Sequence, residues 1–444
     1  MSKARQIKLG VFSQDVGHQI AAWRHPEVPA SGGMDFNFHR RFAQTAERGK
    51  LDMIFFGDQM ASMYPEDEQV GGTSRVLRLE PTALISALSA VTEHLGLVAT
   101  VSMSYFEPFH IARKFATIDQ LSGGRAGWNM VTSFEPREAL NFNVGEVRPP
   151  ELRYHRAHEF ADVVKKLWDS WDADAFPRDK ASGRFFDPEK LHILQHKGEF
   201  FSSRGPLNIP RSPQGHPVLV QAGSSDPGRE FASAHAEIIF TAQSHLADAQ
   251  AFYQDVKGRA AAVGRAAHQL KVMPGVMTFI GRTHEEAQEK HDRLQSLISP
   301  EVGWIVIKKH LGVDISGLPL DEPLPSTLTV STGHVSRQQF LIDVARRDRL
   351  TVRQFYQRYV GSRGHHVVIG TASQVADLFE TWVDKQAADG FNLMVPWAPG
   401  GLDDIVDLLV PELQRRGRFR REYSGNTLRD NLELPYPVSS YAQS

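Results

Sequence analysis

The chain has 444 residues, 41% of them hydrophobic and 23% charged, with a formal net charge of −2. That near-neutral balance gives no electrostatic footprint for a nucleic acid or an anionic membrane. The absence of cysteine excludes disulfides, thiolate metal ligands and a cysteine nucleophile. The N-terminus runs straight into a strand without a signal-peptide apolar region, and no apolar run is long enough to span a bilayer. A soluble cytoplasmic protein with a sizeable core is therefore expected.

In chain order, Ile7 to Phe12 reads as a first strand, followed by a polar-aromatic loop carrying His18 and Trp23-Arg24-His25-Pro26. Asp35 and Asn37 are candidate caps for a helix from about His39 to Arg48. Leu51 to Phe56 is a second strand, ended by Gly57-Asp58. An insertion covers about 59–79. Pro81 suits the first turn of a helix running to Val91. Leu95 to Ser102 is a third strand, Pro108 to Leu121 a helix that Gly123 or Gly124 can close, and Gly127 to Thr132 a fourth strand. Arg153 to Trp171 reads as a long amphipathic helix. Residues 172–215 are irregular and read as a β-hairpin excursion. Further strands are expected at Val218 to Ala222, Ile238 to Ala242, Lys271 to Ile280 and Phe391 to Val395. Helices are expected at Arg229 to Ala236, Leu246 to Val263, Glu285 to Ile298, Ser373 to Ala388 and Leu402 to Arg415. The stretch 299–370 shows little pattern beyond helical pieces near 336–348 and 351–360.

Eight short apolar strands alternating with helices predict an α/β fold, a (β/α)8 TIM barrel. One barrel domain over 1–444 would carry insertions at about 59–79, 172–215 and 299–370. Two α/β domains split near 260 are the alternative.

Barrel enzymes place their sites at the C-terminal ends of the strands. Here those ends offer few ionisable groups, Asp58 being the only carboxylate, with no acid or histidine cluster at metal spacing. Such a set suits cradling a large aromatic cofactor that brings its own chemistry. Asn129 interrupts an apolar strand, and a buried amide needs partners. It either ties down neighbouring backbone or hydrogen-bonds a planar heterocycle. Gly223-Ser224-Ser225, between a strand and a helix, reads equally as a serine cap or a phosphate site. Asp58 alone reads best as a turn cap. Tyr154 and His158, four apart, could be a surface pair, half a metal site or a ligand clamp. The arginines at 415, 416, 418, 420 and 421 follow a helix C-terminus, where cations are favoured anyway. No Gly-x-Gly-x-x-Gly, Walker, His-Glu-x-x-His or Gly-x-Ser-x-Gly motif is present, so a Rossmann nicotinamide site is not expected.

Several segments together resemble the bacterial-luciferase-like flavin monooxygenases, in the branch of nitrilotriacetate, EDTA and dibenzothiophene sulfone monooxygenases and pristinamycin synthase. They are Gly17-His18, Trp23-Arg24-His25-Pro26, Phe55-Phe56-Gly57-Asp58, Glu80-Pro81, the run from Gln120 to Asn129, Arg153-Tyr154, the run from Pro210 to Gly215, Gln221-Ala222-Gly223-Ser224-Ser225 and Gly228-Arg229. The resemblance covers nearly the whole chain. It implies a (β/α)8 barrel binding FMN, reduced by a separate NAD(P)H:flavin reductase, with O2 as co-substrate. A flavin C4a-(hydro)peroxide would then oxidise a small organic substrate, with C–N or C–S cleavage. Carried over residue by residue, Asp58, Thr100 or Ser102, and Asn129 would surround the ring and ribityl chain. Tyr154, His158, Ser224 and Ser225 would hold the chain and phosphate. Phe12, Phe56, Met103, Met130 and Trp397 could line the substrate pocket, His18 and His25 could be polar catalytic partners, and 299–370 could form a lid. Arg24, Arg137, Arg229, Arg363, His365 and His366 could meet a substrate carboxylate, or could be surface charges. A homo-oligomer, dimer or tetramer, is also expected. An S-substituted cysteine is the substrate alternative; a deazaflavin hydride-transfer enzyme and a non-catalytic flavin-binding protein are the rivals in function.

Overall fold

The computed structural model describes residues 5–62, 71–325, 328, 342, 345–362 and 365–442. Eight parallel strands close on themselves: β1 (Lys8–Ser13), β2 (Met53–Phe56), β3 (Gly96–Ser102), β4 (Ala126–Val131), β5 (Val218–Gln221), β6 (Ile238–Thr241), β7 (Lys271–Gly281) and, after an extra strand β8 (His366–Thr371), β9 (Gly390–Met394), which pairs back to β1. The (β/α)8 barrel is as expected. Strands from both sides of residue 260 share the one sheet, so two separate sheets split there are ruled out. β8 pairs in parallel with the outer half of β7, from Val276 to Gly281, beyond the barrel wall proper. The patternless stretch hid it.

Helices alternate with the strands: α1 (Phe36–Arg48), α2 (Pro81–Ser89), α3 (Pro108–Ser122), α4 (Pro136–Leu140), α5 (Pro150–Trp168), α6 (Asp226–His235), α7 (Leu246–Ala262), α8 (His284–Ser296), α9 (Pro300–Leu311), α10 (Val352–Ser362) and α11 (Ala372–Asp384), then a helical run over 400–415. Their ends follow local chemistry. Asp35 caps α1 by accepting from Asn37 N at 2.9 Å. The Glu80 carboxylate accepts from Ala83 N at 2.7 Å, with Pro81 in the first turn of α2. α3 ends at Gly123, whose φ of 67° closes the helix. The turn that follows is fixed by Arg125, 3% exposed, which donates to the Ser122, Leu95, Ser89 and Thr92 carbonyls and the Thr92 hydroxyl at 2.7–3.0 Å. Among the described residues no carboxylate pairs with it directly; burial pulls its pKa down.

Two apolar layers result. A shell of buried side chains fills the space between strands and helices, and a smaller set fills the barrel itself. The interior set includes Met53, Phe55, Val98, Val218, Val220, Ile238 and Met273. The N-terminal end is plugged by the C-terminal tail: Leu428 packs against Gly96 and Gly127, and Lys8 Nζ donates to Asn431 O at 3.0 Å. The arginine run at 415–420 is structural. Arg415 and Arg416 pair with Glu412, Arg416 also with Asp377 and Glu380, Arg418 with Asp384, and Arg420 with Asp52.

The excursion at 172–215 contains one two-residue antiparallel pair, His196–Lys197 with Ser202–Ser203, and isolated antiparallel bridges such as Asp179 with Arg184. In the stretch 299–370, α9 and α10 bury Val302, Val306, Phe355 and Tyr356 in a separate apolar cluster that includes Ile20 and Ala21. That seats the stretch over the loop after β1. Most of the helical piece expected near 336–348, and residues 63–70 of the first insertion, lie outside the described residues.

Candidate active site

The C-terminal ends of β2, β3 and β4 form one polar thread. Thr100 and Asn129 face each other across neighbouring strands. Asn129 Nδ2 donates to Thr100 Oγ1 at 2.9 Å, and Thr100 Oγ1 donates to Phe56 O at 2.8 Å. Both side chains are buried, and Asn129 Oδ1 has no hydrogen-bond partner among the described residues. A carbonyl acceptor left open in a buried strand is costly unless something donates to it. So Asn129 does not tie neighbouring backbone: it spends its donor on a threonine and keeps its acceptor free. One turn further, Ser133 Oγ donates to Ser102 Oγ at 2.9 Å, and Ser102 Oγ accepts from Ser104 N at 3.1 Å.

Beneath the mouth, aromatic rings cross the barrel. Phe12 stacks on Phe240 at 5.6 Å, and Phe240 on His365 at 5.6 Å. His18 sets its edge against Phe12 and His365 at 5.9 and 5.6 Å. β1 and β6 are not neighbours, so the Phe12–Phe240 contact spans the interior. Phe12 is thus placed in the barrel. Phe56, Met103 and Met130 belong to the shell between strands and helices, with Phe56 near His39, and Met103 also lines a cavity beyond the end of β3. Trp397 donates to Glu27 at 3.0 Å and lies 4.9 Å from the His25 ring, whose pKa burial lowers.

A second group gathers where α5 meets the loop after β5. A Cβ built on Gly228 would come within 2.9 Å of Tyr154 Oη and 3.1 Å of Ser225 Oγ; one on Gly223 would reach Tyr154 Oη at 3.1 Å. Only glycines let those two hydroxyls approach the backbone there. Ser225 Oγ accepts from Gly228 N at 3.3 Å, a helix cap, while Ser224 and Ser225 both stand exposed. His158, one helical turn after Tyr154, is half-buried and bonded through Nδ1 to His235 at 2.8 Å.

Asp58 is half-buried near Arg78, and burial pushes its carboxyl up to about 6 despite that cation. The arginines expected to meet a carboxylate are otherwise engaged. Arg24 donates to Leu297 O, Arg137 pairs with Glu135, and Arg229 pairs with Asp255 and Asp226. His366 lies against Trp382; Arg363 is outside the described residues. Arg153 of the Arg153-Tyr154 motif lines one cavity with two arginines that the sequence did not single out, Arg148 and Arg156, and with Met103, Ser104, Tyr105, Ser133 and the carboxylate residue Glu146, beyond the ends of β3 and β4. Arg153 is anchored on Thr132 O and Ser133 O, Arg156 on Met103 O, and Arg156 lies over the Phe201 ring. Burial, followed by the nearby Arg148, lowers the Arg156 pKa. A second overlooked residue is Asn392, 1% exposed, with neither amide atom partnered among the described residues. Its signal was available: like Asn129, it is a lone amide in an apolar strand.

The model of the luciferase-like monooxygenases matches residues 16–388. The chain belongs to that family. It is 50% identical to the N-acetyl-S-(2-succino)cysteine monooxygenase of Bacillus subtilis (strain 168) over 444 residues, covering 100% of both chains. It is 46% identical to nitrilotriacetate monooxygenase component A of Aminobacter aminovorans, again over 100% of both. Among solved structures, a riboflavin lyase with modified FMN superposes with a TM-score of 0.82 at 32% identity, covering 96% of each chain. The luciferase-like chain is therefore a flavin-dependent monooxygenase in the branch its motifs indicated. No helix among the described residues is long and apolar enough to cross a membrane.

Proposed function

We propose that this enzyme is the oxygenase half of a two-component system. It takes reduced FMN from a separate NAD(P)H:flavin reductase and uses O2 to oxidise a small, carboxylate-bearing molecule, breaking a C–S or C–N bond. One observation carries the flavin reading: the buried, unpartnered Oδ1 of Asn129 at the barrel mouth. It offers an acceptor to a ring N–H, and the Thr100 bond fixes its direction. Supporting it, the glycine-floored cradle under Tyr154 and Ser225 suits a phosphate at the start of α6, where the helix dipole favours an anion. The name "component A" borne by the nitrilotriacetate relative is what supports a partner reductase.

When bound, reduced FMN supplies the activation of O2; one oxygen atom goes to the substrate and the other leaves as water. The protein's part is placement and exclusion. Asn129 and Thr100 would orient the ring, Tyr154, His158, Ser224 and Ser225 would hold the phosphate, and the apolar stack of Phe12, Phe240 and His365 would help exclude water from the site. Asp58, which burial keeps partly protonated near neutral pH, can hold a proton at the mouth. The cavity of Arg148, Arg153 and Arg156 supports the substrate class: three guanidiniums there outnumber the one carboxylate, Glu146, and favour an anion among them.

The test mixes protein, FMN, NADH, a general flavin reductase and O2 with nitrilotriacetate, N-acetyl-S-(2-succino)cysteine or an uncharged sulfone. Turnover of a carboxylate-bearing compound and not of the sulfone is expected. Turnover of the sulfone alone would overturn the substrate class. No oxygen incorporation with any flavin, or hydride transfer from a reduced deazaflavin, would overturn the monooxygenase mechanism.

A further inference from the structure

A line of side chains leads away from the proposed phosphate cradle. His158 Nδ1 lies 2.8 Å from His235 Nε2, and His235 Nδ1 lies 3.0 Å from Lys165 Nζ. Lys165 Nζ in turn pairs with Asp162 Oδ1 at 3.0 Å. His158, Asp162 and Lys165 project from α5, and His235 is the last residue of α6, so the line bridges two helices packed side by side. His235 is 8% exposed, while a little over a quarter of the Lys165 side chain reaches solvent.

The chemistry of the end group dictates the protons along it. An ammonium has three donors and no acceptor. Toward Lys165, His235 Nδ1 must therefore present its lone pair, which puts the His235 proton on Nε2. That N–H donates to His158 Nδ1, which must then also be a lone pair. The His158 proton is left on Nε2, on the far side of the ring from His235. Burial, Lys165 and His158 together hold the His235 pKa well below its ordinary value, so the ring stays neutral and the relay keeps one sense. Asp162 Oδ1 is 3.8 Å from His235 Nδ1, too far for a hydrogen bond while Lys165 stands between.

We propose that Lys165 and His235 are positioning residues that lock His158 as an Nε2–H donor, so that this neutral imidazole offers a hydrogen bond to the FMN phosphate. Without Lys165 the relay can reverse. His235 Nδ1–H would turn to Asp162, His235 Nε2 would accept from His158 Nδ1–H, and His158 Nε2 would meet the phosphate as a lone pair. A donor becomes a repelling acceptor without any change of fold. This inference rests on the proposal that His158 serves the phosphate.

The experiment compares affinities for reduced FMN and reduced riboflavin, which differ only by the phosphate, in His158→Ala, Lys165→Met, His235→Phe and His235→Gln. Thermal unfolding is followed alongside. His158→Ala, Lys165→Met and His235→Phe are each expected to cut the FMN-to-riboflavin affinity ratio about tenfold or more, the scale of one hydrogen bond to a charged group. His235→Gln, which can both donate and accept, should restore most of it. If His158→Ala leaves the ratio unchanged, the phosphate role of His158 fails and this proposal with it. If His158→Ala lowers the ratio but Lys165→Met and His235→Phe do not, the relay alone is overturned. Should His235→Phe not fold, Lys165→Met decides, because its side chain reaches solvent. Nitrogen-15 NMR of the histidines gives an independent readout in the flavin-free protein. His158 should be protonated at Nε2; a proton on Nδ1 would overturn the relay.

Discussion

Replacing Asn129 by leucine puts methyl groups of nearly the same shape where the amide stood, and the structure lets its consequences be separated. In the free protein the change removes one hydrogen bond, Nδ2 to Thr100 Oγ1 at 2.9 Å, a loss of about 0.5–1.5 kcal/mol. It also removes a buried acceptor with no partner, a relief of about 1–3 kcal/mol. Thr100 keeps its own bond to Phe56 O at 2.8 Å, so no donor is orphaned. The two terms oppose each other. Flavin-free Asn129→Leu should therefore be as stable as the parent, or more stable by about 1 kcal/mol. Had the amide tied down backbone, the same change would destabilise the protein outright.

Binding should move the other way. If a ring N–H donates to Oδ1, the variant leaves that donor unmet in a buried site, costing about 1–3 kcal/mol, or roughly 5- to 150-fold in affinity. The assay is an anaerobic titration with reduced FMN, paired with urea unfolding with and without flavin. Unchanged stability with weakened binding is the expected pair. An Asn129→Leu protein that binds reduced FMN within twofold of the parent would refute the cofactor contact, whatever its stability.

Ser225→Ala should weaken reduced FMN more than reduced riboflavin by about tenfold, while costing about 1 kcal/mol of stability through the lost cap on Gly228 N; equal losses for both flavins would leave Ser225 a cap only. Asp58, with its folded pKa pushed up to about 6, keeps a proton that the unfolded chain has released, so its contribution makes stability fall as pH rises from about 4 to 6. Asp58→Asn should remove that fall, gaining no more than about 3 kcal/mol at pH 7.5 and little at pH 4; equal effects at the two pH values would show that the carboxyl is not perturbed. Arg148→Ala should raise KM for a carboxylate-bearing substrate about tenfold with kcat little changed, and a fall in kcat alone would place Arg148 elsewhere in the reaction. Arg125→Met takes the guanidinium donors from four backbone carbonyls, so urea unfolding should show a loss of about 3 kcal/mol or more; a loss below about 1 kcal/mol would mean that water replaces the guanidinium.

What could be read from the chain was whatever repeats. Each barrel strand is a short apolar run between turn residues, and all eight were visible as such. β8 was not, because His366 to Thr371 is only partly buried and lies outside the barrel wall, where no apolar run is required. Charges outside the strands were equally opaque. Arg148 and Arg156 look like ordinary surface arginines in sequence, since only the fold of the segment after β4 sets them around one cavity with Arg153. The line from His158 to Lys165 was hidden for a related reason: its middle member, His235, is 77 residues away in sequence.

The harder problem was which way each strand residue points. A parallel barrel strand is buried on both faces, so it reads as a continuous apolar run and polarity no longer marks its inner side. Phe55 and Phe56 are indistinguishable by that measure, yet Phe55 fills the barrel and Phe56 the shell. The parity was nevertheless encoded, in the exceptions. Successive side chains alternate faces, so once Asn129 is given to the barrel, Met130 must face the helices, and both cannot serve one inner pocket. The same rule applied to β9 sets Asn392 and Met394 on one face and Leu393 on the other. It singles out Asn392 as a second amide sealed inside. In a fold whose walls are apolar throughout, the lone amides are thus the most informative letters in each strand: they fix its register and mark where the barrel has room for something other than hydrocarbon.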